Sequence, residues 1–234
     1  MKRILTIAAV NLVAAGAWAQ VSATNTFNLT SSGTAVVPDG NPVGLLETFS
    51  VNIVPGRTIS NVQLNLDLAG GVNGDLYAYL AGPGGQMAVL LNRVGVSGAN
   101  NNLTGYGNAG FFVTFNNAAP VNVHNYGNGS FGVNVNGQVT GTWAPDGRNI
   151  DPQSPASAFD TASTGANFSV FNGLTDGNVT GMWSLYLADL VGGDGSPTLN
   201  LSDAVLTITT VPEPGTMALA VSGGLALLAM RRRR

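Results

Sequence analysis

The chain has 234 residues, no cysteine and a single histidine, and only 9% of its residues are charged. Disulfides, thiol chemistry and Cys/His zinc sites are therefore excluded, and a net charge of −3 offers no basic surface for nucleic acid. A hydrophobic fraction of 44% supplies a real core, and 32 Gly with 11 Pro stay below the level of a low-complexity chain.

The N-terminus opens with Met1-Lys2-Arg3, then an apolar run from Ile4 to Ala15 broken only by Thr6 and Asn11. Ala17-Trp18-Ala19 follows, with small residues flanking the pattern that signal peptidase cuts. A secretory signal peptide over 1–19 is expected, with the mature chain starting at Gln20. Residues 20–35 are rich in Ser, Thr and Asn, and suit either an edge strand or a loose lead-in.

Strand-period segments come next. Val62, Leu64, Leu66 and Leu68 alternate with polar or small neighbours, and so do Leu76, Ala78 and Leu80, with Tyr77 and Tyr79 on the opposite face. The same period recurs at Phe111, Val113 and Phe115, and at Phe131, Val133 and Val135. It returns at Trp183, Leu185 and Leu187, and at Ala204, Leu206 and Ile208. One apolar face at period two predicts half-buried antiparallel strands. Asn-Gly pairs begin at Asn73, Asn128, Asn136 and Asn172, and Asp-Gly pairs at Asp39, Asp146, Asp176 and Asp194. These pairs tolerate the positive φ of tight turns.

The stretch from Thr142 to Thr164 carries Pro145, Pro152 and Pro155 without alternation, and is expected to be a long surface loop. No segment of the core shows a helical period with caps. The prediction is an all-β fold: an antiparallel jelly-roll β-sandwich over 20–210, between an N-terminal signal helix and a short C-terminal hydrophobic helix. A β-helix would need a fixed repeat, which is missing.

Few residues invite chemistry. A serine-protease mechanism needs an imidazole held by a carboxylate beside a serine. His124 is the sole candidate, and the G-x-S-x-G elbow is missing. Glu47 is the only Glu before the tail, which gives little support to paired-carboxylate hydrolysis. Gly105-Tyr106-Gly107-Asn108-Ala109-Gly110 matches the dinucleotide-binding spacing, but a strand pattern follows where a helix is required. Trp183 is in phase with core positions, whereas Trp143, Tyr106 and Tyr126 lie near loops and are candidate ligand contacts. Calcium is the cofactor that the residue types suit, because hard oxygen ligands can come from loop aspartates. Asp75, Asp189, Asp194 and Asp203 are the candidate ligands, with turn capping and solvation as the plainer role.

The C-terminus reads Val211-Pro212-Glu213-Pro214-Gly215, then a largely apolar stretch from Met217 to Met230, then Arg231, Arg232, Arg233 and Arg234. Fourteen helical residues reach about 21 Å, short of a full hydrocarbon core, so this segment can at most cross a thinned bilayer. Pro212-Glu213-Pro214, the short apolar segment and the arginine cluster resemble the PEP-CTERM sorting signal. That resemblance implies handling by exosortase in a Gram-negative bacterium, a transient membrane anchor, and a final place at the cell surface or in the extracellular matrix. With both terminal segments removed, Arg57, Arg93 and Arg148 face eleven acids, a net charge of −8 in place of −3.

A second resemblance runs from about Val43 to Thr210. Gly74-Asp75-Leu76 leads to the Gly82-Pro83-Gly84-Gly85 turn, and later to Gly181-Met182-Trp183-Ser184-Leu185 with Asp189 behind it. This order is similar to the P domain (P/Homo B) of proprotein convertases, a jelly-roll domain that usually follows a subtilisin-like protease. These 234 residues are not expected to include such a protease domain. The expectation is a non-catalytic surface or matrix β-sandwich. The alternative is a protease-associated module acting with a separate subtilisin-like enzyme. Signal peptidase and exosortase are the expected partners during export, and an exopolysaccharide or a secreted protease afterwards.

Overall fold

The computed structural model describes residues 21–213, so the expected signal helix and hydrophobic tail helix lie outside the described residues. Two β-sheets face each other. The first contains β1 (Ala23–Asn28), β2 (Thr34–Val36), β4 (Arg57–Ala69), β7 (Gly110–Asn116), β8 (Gly132–Val133), β9 (Val139–Trp143), β11 (Thr198–Asn200) and β12 (Val205–Pro212). Its main order is β1-β12-β4-β7-β9-β8, with β11 beside β4 and β2 beside β11. The second sheet, in the order β3-β10-β5-β6, contains β3 (Leu45–Val51), β5 (Leu76–Ala81), β6 (Met87–Asn92) and β10 (Gly181–Asp189).

The alternating segments supply the facing surfaces. On β4, Leu64 pairs with Phe115, Leu66 with Val113 and Leu68 with Phe111, while β12 sets Leu206 against Leu64 and Ile208 against Val62. Within the second sheet, Phe49 pairs with Trp183, Leu80 with Leu185 and Ala78 with Leu187. All of these side chains are buried in one core. Each large one contributes about 1.5–3 kcal/mol relative to exposure. The Trp183 indole N–H, enclosed with its ring, donates to the Val179 carbonyl at 2.8 Å. On the opposite face of the second sheet, Tyr79 and Tyr186 stack at 4.8 Å as cross-strand partners.

Three expectations are corrected. First, β7 and β9 run parallel, so the sheets are not wholly antiparallel. Second, the pattern from Phe131 to Val135 yields only the two-residue β8, with Val133 and Val135 exposed, while Phe131 packs edge-on against Tyr126. Third, the proline-bearing stretch is not a free surface loop. It holds a short helix, α1 (Ala156–Thr161), and buries Phe159 and Asp146 completely. Its backbone also lines the outer edge of β6. Val89 N–H donates to the Ala166 carbonyl, and Asp146 and Gly147 donate to Leu90 and Val89. An edge strand open to pairing with another chain is thereby closed. Residues 20–35, left open between strand and lead-in, contribute β1, which pairs along its whole length with β12.

Candidate functional site

Three chain segments cross between the sheets at one end of the sandwich: 37–44 from β2 to β3, 70–75 from β4 to β5, and 190–197 from β10 to β11. They approach closely. A Cβ on Gly40 would sit 2.8 Å from Gly192 Cα, so only glycine fits there, and its φ of +59° suits the same residue. Leu190 N–H donates to the Asp75 carbonyl at 3.0 Å, joining the second and third crossovers.

Three carboxylates converge at this junction. Asp39 comes from the first crossover, Asp189 from the end of β10, and Asp194 from the third crossover. One oxygen of each lies within 4.8 Å of one from each of the others. Asp39 accepts from Gly193 N–H through both oxygens, at 3.2 and 3.0 Å. Asp189 is fully buried; its Oδ1 accepts from Val191 N–H at 3.3 Å, and its Oδ2 has no hydrogen-bond partner. Burial, and then the charge of Asp194, push the Asp189 carboxyl up to about 6. Asp194 is also raised, first by burial and then by Asp39. A cluster of this kind can hold a hard cation through its oxygens.

Of the four aspartates singled out in the sequence, Asp189 and Asp194 belong to this cluster. Asp75 borders it: its carboxyl is raised by burial and by Asp194, with Arg93 acting in the opposite direction. Asp203 does not belong. It follows β11 on the far side of the first sheet, where its carboxylate accepts from Asn200 Nδ2 at 2.6 Å and lines a trough of about 620 Å³. Asp39 was visible in the sequence only as an Asp-Gly turn signal.

His124 sits in a 3-10 turn, Val123–Asn128, and is buried. Its Nδ1 lies 2.7 Å from Asp146 Oδ2, and its Nε2 lies 3.0 Å from the Val96 carbonyl. Arg148 Nη1 reaches the other Asp146 oxygen at 3.0 Å. A cavity of about 330 Å³ borders His124 and Ser97, but Ser97 Oγ is bonded to Asp160 at 2.7 Å.

The aromatic candidates are mostly interior. Trp143 and Tyr126 are buried, and Trp143 donates to the Thr140 carbonyl at 3.2 Å, so neither offers a stacking face to solvent. Tyr106 packs on Tyr126 at 4.6 Å and is only partly exposed. The dinucleotide-like glycine run leads into β7 rather than a helix, and so lacks a helix N-terminus for phosphate.

At the other end of the chain, β12 carries the fold directly into the tail. Pro212 is its last residue and pairs with Arg57, and Glu213 N–H donates to the Gly56 carbonyl at 3.1 Å. Residues 210–234 match the PEP-CTERM protein-sorting motif. The motif therefore begins inside the final strand. No helix among the described residues is long and apolar enough to cross a membrane. No curated protein matches the chain. Among solved structures, the serine protease of Aeromonas sobria aligns at 17% identity with a TM-score of 0.37. The same protease in complex with its chaperone aligns at 15% identity with a TM-score of 0.36. Each alignment covers 82% of this chain and 27% of the other, so the chain spans about a quarter of the length of those it matches.

Proposed function

We propose that this chain is an exported, non-catalytic β-sandwich displayed at the cell surface or in the extracellular matrix of a Gram-negative bacterium, and sorted by an exosortase-type system. The observation that carries this reading is the PEP-CTERM match over 210–234, attached to the end of β12. Its non-catalytic character is supported by the arrangement around His124. Both ring nitrogens face acceptors, and the nearest serine of that cavity is bonded to a different acid.

Replacing Pro212, Glu213 and Pro214 with alanine in the producing cell tests the sorting step. The expected result is accumulation of a membrane-bound precursor retaining Arg231–Arg234 by mass spectrometry, as in an exosortase-deficient strain. Unchanged surface display with an intact C-terminus in both strains would overturn it.

Among extracellular partners, an exopolysaccharide suits the trough on the outer face of the first sheet. Asn65, Thr114, Thr140 and Thr142 line it with neutral hydrogen-bonding groups, and the half-exposed ring of Phe112 lies among them. Hydroxyl-rich sugars need such groups and an apolar face for stacking. Retention on native matrix polymer should fall for Phe112→Ala, and equal retention would remove the trough from the reading. A protease-associated role is favoured by one feature: β5, which follows Gly74-Asp75, and β10, which carries Gly181-x-Trp183, are paired strands, with Leu76 opposite Asp189. Co-purification with a subtilisin-like protease is its test.

A further inference from the structure

Three carboxylates meet where the three crossovers converge at one end of the sandwich. Among the described residues, the ion pairs within 4 Å both end on Asp146, so no arginine is paired with Asp39, Asp189 or Asp194. Arg93, the basic residue that acts on neighbouring Asp75, spends its guanidinium on the carbonyls of Gly74, Pro152 and Leu103. Three carboxylates this close repel one another unless a proton or a cation lies between them. The decisive atom is Asp189 Oδ2. It belongs to a side chain with no solvent exposure, it has no hydrogen-bond donor, and its carboxylate is one of the three that converge. A buried carboxylate oxygen without a donor calls for a partner that the chain itself does not supply.

We propose that Asp39, Asp189 and Asp194 form a binding site for a divalent cation of the calcium class, which clamps the first and third crossovers at one end of the sandwich. Size supports the assignment. Calcium takes oxygen ligands at about 2.3–2.6 Å, so ligands on opposite sides of one ion stand about 4.6–5.2 Å apart. Three oxygens mutually within 4.8 Å fit around one such ion. Flexible coordination suits ligands drawn from two loops and a strand end, whereas magnesium demands a smaller and more regular octahedron. The ligands are separated by up to 155 residues of sequence, so an ion here adds a link between chain segments that are otherwise joined by the Gly193–Asp39 and Val37–Pro197 hydrogen bonds. Asp39 and Asp194 are exposed, which gives the ion a route from solvent, and Asp189 forms the buried floor.

The test uses the purified protein stripped of metal with chelator, and it does not depend on whether the tail has been processed. Equilibrium dialysis against calcium should show one ion per chain, with an affinity near the 0.1–1 mM typical of extracellular modules, about that order. The thermal unfolding midpoint should rise with calcium, and much less with magnesium at equal concentration. In the Asp39→Asn/Asp194→Asn double variant, affinity should fall by roughly tenfold or more, and the rise in midpoint should disappear. Both replaced side chains are exposed, so this variant should keep the wild-type circular dichroism spectrum in chelator. No bound calcium at about 10 mM, well above that affinity range, would overturn the proposal, as would a double variant that keeps both the binding and the rise. If the double variant fails to fold, competition between calcium and terbium for the wild-type site decides. Displacement at a stoichiometry of one supports the site, and no terbium binding removes it.

Discussion

Asp146 and Asp189 are the same residue type at the same depth, with no solvent exposure at either, yet their surroundings are opposite. Asp146 is saturated. One oxygen faces His124 Nδ1 and the Asn92 N–H, and the other accepts from the Arg148 guanidinium and the Arg148 N–H. Asp189 has one donor, the Val191 N–H, and two acidic neighbours. The first centre is closed: every charge has a counter-charge supplied by the chain, and the network ties the proline-bearing segment to β6 and to the His124 turn. The second is open, and its charge can be balanced only from outside. Burial alone therefore says little about what a carboxylate does; the donor set around it separates a structural strut from a ligand.

An identical substitution at the two positions should expose the difference. Asp146→Asn removes the charge that Arg148 and His124 share, leaving buried donors without their acceptor. Breaking a buried pair from one side costs about 3–5 kcal/mol. For a domain of this size that lowers the midpoint by roughly 10 °C, since about 2–4 °C corresponds to each kcal/mol. Asp189→Asn, measured in chelator, keeps an oxygen for the Val191 N–H and removes one of three like charges. Its midpoint should stay within about 1 kcal/mol of wild type or rise, the range of an ordinary tolerated change. Differential scanning calorimetry of both variants checks the contrast. Equal, large losses at both positions would show that the Asp189 centre is already balanced within the fold. A smaller effect sharpens the first centre. Asn92→Ala deletes the donor that holds the carbonyls of Arg148 and Ile150, at 2.9 and 3.0 Å, and should cost about 1–3 kcal/mol for the carbonyls left unpaired.

Much of the sandwich was legible because half-buried strands leave a local trace. Val62 to Leu68 alternate since one face of β4 meets the core, and the same holds for Trp183 to Leu187 on β10. The trace fails where burial is not one-sided. On β6, Ala88 to Leu91 are all buried, because the 144–167 segment covers what would be the free side, so no alternation marks the strand. At Phe131 to Val135 the alternation is present and the burial is not, since only two residues find a pairing partner. The candidate sites were harder still. The His124 network joins residues 22 to 28 positions apart through a turn, and Asp39 meets Asp194 across 155 positions. Two signals were nonetheless available. Both Asp39 and Asp194 stand before glycine, at turns able to approach closely, and Arg148 is one of only three basic residues in the core, placed two positions from an aspartate.

Asp160 provides the finest test, because it sits at the rim of the closed centre and is exposed. Ser97 Oγ donates to its Oδ1 at 2.7 Å, and Ala99 N–H donates to Oδ2 at 2.9 Å. These two donors, the hydroxyl first, hold the Asp160 carboxyl below the ordinary range, because both favour the ionised form. The sign follows from linkage. The folded state binds this proton less tightly than the unfolded chain, so the contribution to stability is fully present above the unfolded value near 3.8. It is lost as the pH falls through the lower folded value. In Ser97→Ala the first donor is gone, and an NMR titration of the Asp160 carboxyl should move back up toward the unfolded value. The midpoint at neutral pH should change little, since both groups lie at the surface. An unchanged titration would mean that the backbone donor alone sets the charge state of Asp160. The Ser97 hydroxyl would then be free to serve the adjacent His124 cavity, and that centre would be less closed than its hydrogen bonds imply.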